Sequence, residues 1–143
     1  MFLFFILTSL LIVSTQADYW SDCGSSLATV RVTGCEEDSS LCYLEKETNV
    51  TVTIAFTPSM ELKSLNTSVH ALVLNSETPV YGIDPDACEG NNLSCPLPAK
   101  NKVIYKKQMH ISKNYPKFQI KIKWELKTDA QGVVCVIIRS KIK

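Results

Sequence analysis

The sequence predicts an all-β fold, an immunoglobulin-like antiparallel β-sandwich of two sheets. Three observations predict it. First, apolar and polar residues alternate over long runs, which sends successive side chains to opposite faces of a strand. Phe118, Ile120, Ile122, Trp124 and Leu126 are apolar, while Gln119, Lys121, Lys123 and Glu125 between them are polar. Second, six or seven strand-like runs succeed one another between turn-forming stretches within 143 residues, a spacing typical of sandwiches. Third, the six cysteines suit a small secreted domain stapled by disulfides.

The elements follow in chain order. Residues 1–17, MFLFFILTSLLIVSTQA, form an uncharged apolar run that ends in small residues. This is the pattern of a secretory signal peptide cut after Ala17, and its apolar part is short for a membrane span. Cleavage of 17 of 143 residues leaves 126, residues 18–143, the size of one domain. LATVRV at 27–32 reads as a first strand. In 50–57, VTVTIAFT, Val50, Val52, Ile54 and Phe56 share one face and threonines take most of the other. Residues 64–74 keep the period of two more loosely. PVYGIDPDACEGNNLSCPLP is rich in Pro, Gly, Asn and Asp and reads as a loop. Strands follow at 102–110, 116–127 and 132–140.

The net charge of +1 is carried entirely outside residues 1–17. A nearly neutral domain is not expected to bind nucleic acid. Cys23, Cys35, Cys42, Cys88, Cys95 and Cys135 are even in number, so three disulfides are expected, although six cysteines allow 15 connectivities. Cys35 with Cys42 and Cys88 with Cys95 are each seven positions apart; local closure of both would leave Cys23 for Cys135. Structural zinc would call for C-x-x-C or His-rich spacing, which the chain lacks. Asn49, Asn66 and Asn92 each begin an N-x-S/T glycosylation sequon, which agrees with secretion and requires solvent-facing positions.

Catalytic chemistry finds no constellation. The chain has two histidines, His70 and His110, and neither a G-x-S-x-G elbow nor an H-E-x-x-H helix. Pairing of every cysteine leaves no thiolate nucleophile. No enzymatic activity, cofactor or metal is expected.

From SVHALVLNSETPVYGIDPDACEGNNLSCPLP through YPKFQIKIKWEL to GVVCVIIRSKIK, the chain resembles the Niemann-Pick C type 2 proteins of the ML lipid-recognition superfamily. A loop ending D-x-C, six residues to C-P-L, then Y-P, W-x-L and a last cysteine carry the resemblance. It extends over the whole mature chain, 18–143. It implies the pairing Cys23–Cys135, Cys35–Cys42 and Cys88–Cys95, and sheets that part at one end around an apolar cavity. It implies ligand contacts at Ile111, Tyr115 and Pro116 and near Val80 and Tyr81. Phe118, Ile120 and Trp124, with Val52, Ile54 and Phe56, would line deeper walls. Two features depart from the family pattern: Tyr81 and Gly82 interrupt an entrance loop usually rich in proline and phenylalanine, and CYLEKETN is charged where a glycine is usual.

The function this implies is that of a secreted, monomeric carrier of a hydrophobic small molecule: a sterol, a fatty acid or a semiochemical. A lipid-recognition module presenting lipid to a receptor is the alternative, and an adhesion-like sandwich with a solid core is the third reading. The expected location is extracellular or lysosomal, with transient membrane or receptor contact. Lys100, Lys102, Lys106, Lys107, Lys113 and Lys117 flank the mouth in sequence. They read as a solvated strand face or as an attraction for anionic headgroups.

Overall fold

A computed structural model describes residues 18–24, 27–129 and 131–143. The signal peptide expected at 1–17 lies outside the described residues. Every regular element among them is a strand: β1 (Trp20–Asp22), β2 (Ala28–Val32), β3 (Cys42–Leu44), β4 (Asn49–Phe56), β5 (Asn66–Val73), β6 (Ser76–Pro79), β7 (Val103–His110), β8 (Gln119–Lys127) and β9 (Gly132–Ile142). One sheet runs β1-β9-β8-β5-β6 with β3 also on β9, and the other runs β2-β4-β7. The two face each other as a sandwich, and their inner faces make the core.

The long strands form where the alternation is strict. In β4 the inward residues Val50, Val52, Ile54 and Phe56 are all buried and the residues between them are not. Val and Ile fill a pleated, half-buried surface well, and the outward threonines keep strand propensity without adding apolar area. β8 behaves alike, burying Ile122, Trp124 and Leu126. Its first turn of alternation is looser: Phe118 falls before the strand and stays 37 % exposed. Trp124 meets Tyr105 of β7 edge-on, ring centroids 6.1 Å apart, an arrangement favoured by the ring quadrupoles. Tyr105 donates to or accepts from the Thr67 hydroxyl at 3.3 Å. Tyr19, just before β1, accepts a hydrogen bond from Val32 N–H of β2 at 3.0 Å, and so ties one sheet to the other. Burial raises the pKa of both phenols above the ordinary 10.0, because the charged form would lose its solvent.

Three disulfides close Cys23–Cys135, Cys35–Cys42 and Cys88–Cys95. The first spans 112 positions and joins the chain ahead of β2 to the first half of β9. Glycine is needed beside it, since a Cβ at Gly24 would lie 2.8 Å from the Cys135 backbone nitrogen.

Short strands are where the structure departs from expectation. β1, β3 and β6, of three, three and four residues, lack a recognisable alternation. β6 pairs with β5 through a tight connection at Leu74 and Asn75, with Leu74 at φ 54°. The expected loop from Pro79 therefore gives its first residue to a strand. β3 pairs with β9 in parallel, against an otherwise antiparallel scheme. The chain reaches β3 from β2, in the opposite sheet, so no hairpin dictates its direction. β7 is the edge of the smaller sheet, and its half-buried Lys107 stands at an inward position between Tyr105 and Met109. An inward charge on an edge strand discourages edge-to-edge pairing with another chain.

Candidate ligand-binding cavity

The register of β4 on β7 defines two ends of the sandwich. Asn49 pairs with His110 at one end and Phe56 with Val103 at the other. At the Asn49–His110 end the sheets enclose a cavity of about 260 Å³. Its walls come from inward strand positions, Leu44 of β3, Ala71 and Val73 of β5, Met109 of β7, Ile120 and Ile122 of β8 and Ile142 of β9, and are completed at the sheet edge by Thr78 and Pro79 of the exposed β6. Ala71 sits between Thr78 and Ile122 in register, so three neighbouring strands make one continuous wall.

The mouth is built from the segments that follow β6 and β7. Val80 N–H bonds Val69 O at 2.9 Å, which continues the β5–β6 pairing and turns Val80 toward the cavity before Tyr81 leaves the sheet. Ile111 is 1 % exposed, and its backbone is held at both ends, to Thr48 O at 2.9 Å and from Glu47 N–H at 2.6 Å. A tight turn follows, with Tyr115 N–H on Ser112 O at 3.2 Å and Asn114 N–H on Ser112 Oγ at 3.1 Å. Phe118 N–H then bonds Pro116 O at 3.0 Å, and Phe118 O receives Ile142 N–H at 3.3 Å. This chain of bonds places Ile111, Tyr115, Pro116 and Phe118 on one rim. Tyr81, 85 % exposed, stands on the other.

Among the described residues, no carboxylate, lysine, arginine or histidine lines the cavity. The Thr78, Tyr81 and Tyr115 hydroxyls are its polar side-chain groups. Behind Leu44, Met109 and Ile122 lies a narrower void, too tight for a water molecule, closed by Val32, Cys42, Val52, Trp124 and Ile138. The Trp124 Nε1–H, fully buried, has no hydrogen-bond acceptor among the described residues.

The expected contact residues thus fall into three groups. Val80, Tyr81, Ile111, Tyr115, Pro116, Phe118 and Ile120 line the cavity together. Val52 and Trp124 border the inner void instead. Ile54 and Phe56 line neither, which corrects the expectation of a deep wall there. β4 runs the whole length of the sandwich, so Ile54 is opposite Val30 and Tyr105, and Phe56 opposite Ala28 and Val103, in solid core. Sequence reasoning missed Leu44, Ala71, Val73, Thr78, Pro79, Met109, Ile122 and Ile142 as cavity residues. The inward alternation of 64–74 and of β8 contained Ala71, Val73 and Ile122; nothing in the sequence singled out Leu44 or Ile142.

The lysines separate in the same way. Lys113 and Lys117 flank the mouth segment. Lys100 and Lys102 precede Val103 at the far end, and Lys106 pairs across from Thr53 on the outer face, so proximity in sequence did not carry to the fold. His70 lies outside the cavity, near Ser68 at 3.4 Å and Glu77 at 3.7 Å. His110 pairs with Asn49 Oδ1 at 2.8 Å, also outside. Asn49, Asn66 and Asn92 are all exposed. Among the described residues, no group of three His, Cys, Asp or Glu could hold a metal ion.

Comparison with known proteins agrees with this architecture. The family model of the ML domain matches residues 17–142. The ecdysteroid-regulated 16 kDa protein of Manduca sexta is 39 % identical, over 98 % of this chain and 99 % of that protein. The NPC intracellular cholesterol transporter 2 homolog a of Drosophila melanogaster is 34 % identical, over 93 % of each chain. Among solved structures, a Niemann-Pick type C2 protein from the Japanese carpenter ant superposes with a TM-score of 0.80 at 25 % identity, covering 87 % of this chain and 98 % of that one. With its two-sheet sandwich and end cavity, the chain belongs to the ML domain family as a Niemann-Pick type C2-like member.

Proposed function

We propose that the protein is a secreted carrier that holds one hydrophobic small molecule between its sheets and performs no chemistry on it. The observation that carries this reading is the cavity itself: about 260 Å³, largely apolar, lined by no charged side chain among the described residues, and rimmed by Tyr81, Tyr115 and Phe118. Aromatics with one polar tip suit a mouth with a wet side and a dry side. Ligand sites generally measure ~300–1,000 Å³, so the occupant is slim, or leaves its polar end outside the mouth. A sterol, a fatty acid or a semiochemical of similar girth meets that description. The Drosophila relative's name as a cholesterol transporter homolog supports the sterol arm of it.

Energetics support a hollow core in this chain. An empty apolar cavity of about 260 Å³ costs roughly 6 kcal/mol at ~24 cal/mol per Å³. In the chain-entropy model the Cys23–Cys135 link contributes about 4.8 kcal/mol and each short loop about 2.5 kcal/mol, which together offset that cost. The disulfides, the three exposed sequons and the apolar leader support secretion, with the lysosome as the alternative destination. The inward Lys107 on the β7 edge supports a monomer. Both histidines lie outside the cavity, which supports carriage without catalysis.

The test is titration of delipidated protein with a fluorescent sterol and a fluorescent fatty acid. The expected result is saturable 1:1 binding of at least one, displaced by the unlabelled compound. Absence of saturable binding with either would end the proposal.

A further inference from the structure

The cavity is not the largest concavity of the molecule. A groove of about 610 Å³ lies on the other side of β3, lined by polar residues of the Cys35–Cys42 loop, of β3 and of the start of β4. β3 is the partition: Leu44 faces the cavity, while Tyr43 and Glu45 face the groove. Two carboxylates, Glu36 and Glu45, line the groove with no side-chain hydrogen-bond or ion-pair partner among the described residues, beside one ammonium, Lys143. Tyr43 is 47 % exposed, and Lys143 Nζ stands 4.8 Å from its ring centroid. Lys143 caps one face of the ring; the exposed remainder, flanked by free carboxylate acceptors, is chemistry for a neutral, hydroxyl-rich ligand. A pyranose lays its C–H face on the ring and gives its O–H groups to the acids. An anion would meet two like charges.

Asn49 lines this groove and is exposed. It begins the sequon Asn49-Val50-Thr51. Its Oδ1 is fixed by His110 Nδ1 at 2.8 Å, so the amide plane is set, and no hydrogen bond engages Nδ2 among the described residues. We infer that Asn49 carries an N-linked glycan whose first sugars lie in the groove, over Tyr43 and against Glu36 and Glu45. Attachment uses a lipid-pyrophosphate-linked oligosaccharide. The Asn49 Nδ2–C1 bond forms as the C1–O bond to pyrophosphate breaks; the pyrophosphate leaves with the electron pair, and one Nδ2 proton passes to the transferase's base. Oδ1 takes no part in the step and remains available to bond His110 once the chain folds. The seated sugars then cover the outer side of the strand whose inner side walls the cavity.

The experiment uses full-length protein secreted from eukaryotic cells. Peptide mapping by mass spectrometry should find Asn49 modified. A glycosidase that cuts the Asn–sugar bond should release this glycan at least tenfold more slowly from native protein than from the reduced, denatured chain. Tyr43→Ala should remove most of that protection while leaving uptake of fluorescent lipid unchanged. If Tyr43→Ala is not secreted, Glu45→Gln, which keeps the shape and removes the charged acceptor, should speed release at least threefold. An unmodified Asn49, equal release rates from native and denatured protein, or a folded variant with undiminished protection would each overturn the inference. None of these outcomes depends on whether the cavity binds lipid.

Discussion

Filling the cavity from its wall separates a hollow carrier from a solid sandwich. Ala71 is the smallest side chain of the continuous Thr78–Ala71–Ile122 wall and points inward on β5. In Ala71→Phe, the new ring enters space that is empty in the free protein. Burying a Phe side chain is worth about 1.5–3 kcal/mol, and fixing its rotamer returns part of that, so a net gain of about 1 kcal/mol is expected. For a domain of this size that raises Tm by roughly 3–5 °C. A bound guest loses the same space. Displacing three or four methylenes at about 0.8 kcal/mol each costs roughly 2.5–3 kcal/mol, about a hundredfold in Kd. Thermal unfolding and titration with a fluorescent ligand should be run on the same delipidated samples, because residual ligand raises Tm by mass action. If the wall were solid core, overpacking would destabilise by about 1–3 kcal/mol. A drop in Tm of that size, or unaltered ligand affinity, would refute the reasoning.

Three further outcomes follow from named groups. Tyr115→Ala should weaken lipid binding by about 1–3 kcal/mol. Its cost in urea-unfolding stability should be well below the ~3–5 kcal/mol of a packed aromatic, because Tyr115 is only half-buried at the rim. Replacing both Cys23 and Cys135 by serine should cost about 2–5 kcal/mol of stability, and an unchanged melting midpoint would contradict the role given to that link. The buried phenols of Tyr19 and Tyr105 titrate above 10.0 in the folded chain and near it when unfolded. Between those values the unfolded chain has released the protons and the native one has not. Their contribution is therefore complete below about pH 10 and lost as pH rises through the folded values. Urea midpoints measured from pH 8 to 11.5 should fall less steeply in Tyr105→Phe than in wild type.

The sequence showed which residues face inward more readily than where along the sandwich they lie. A period of two assigns a face, and it did so correctly for Val50, Val52, Ile54 and Phe56. It carries no information about distance from the mouth, so Ile54 and Phe56 looked equivalent to Val52 although only Val52 borders a void. β8 was legible for the same reason that β3 was not: nine residues display an alternation and three do not. Leu44 and Ile142 reach the cavity only because β3 and the end of β9 pair in parallel, a tertiary arrangement without local signature. The mouth residues Ile111, Tyr115 and Pro116 came from resemblance to a family, and backbone hydrogen bonds to Thr48 O and Ser112 O and from Ile142 N–H hold that segment where it is. The groove outside β3 was not anticipated at all, because Tyr43 and Glu45 are unremarkable, and Asn49 reads only as a sequon, until the fold brings them beside the Cys35–Cys42 loop.

The central claim is that the space between the sheets belongs to a small hydrophobic guest. Native mass spectrometry of protein purified without detergent, followed by solvent extraction and identification of what is released, addresses it directly. The account predicts a population one small molecule heavier than the bare chain, whose extract is a slim, largely apolar compound and whose mass increment disappears in Ala71→Phe. A single bare-chain mass, unchanged after incubation with sterols and fatty acids, would contradict it.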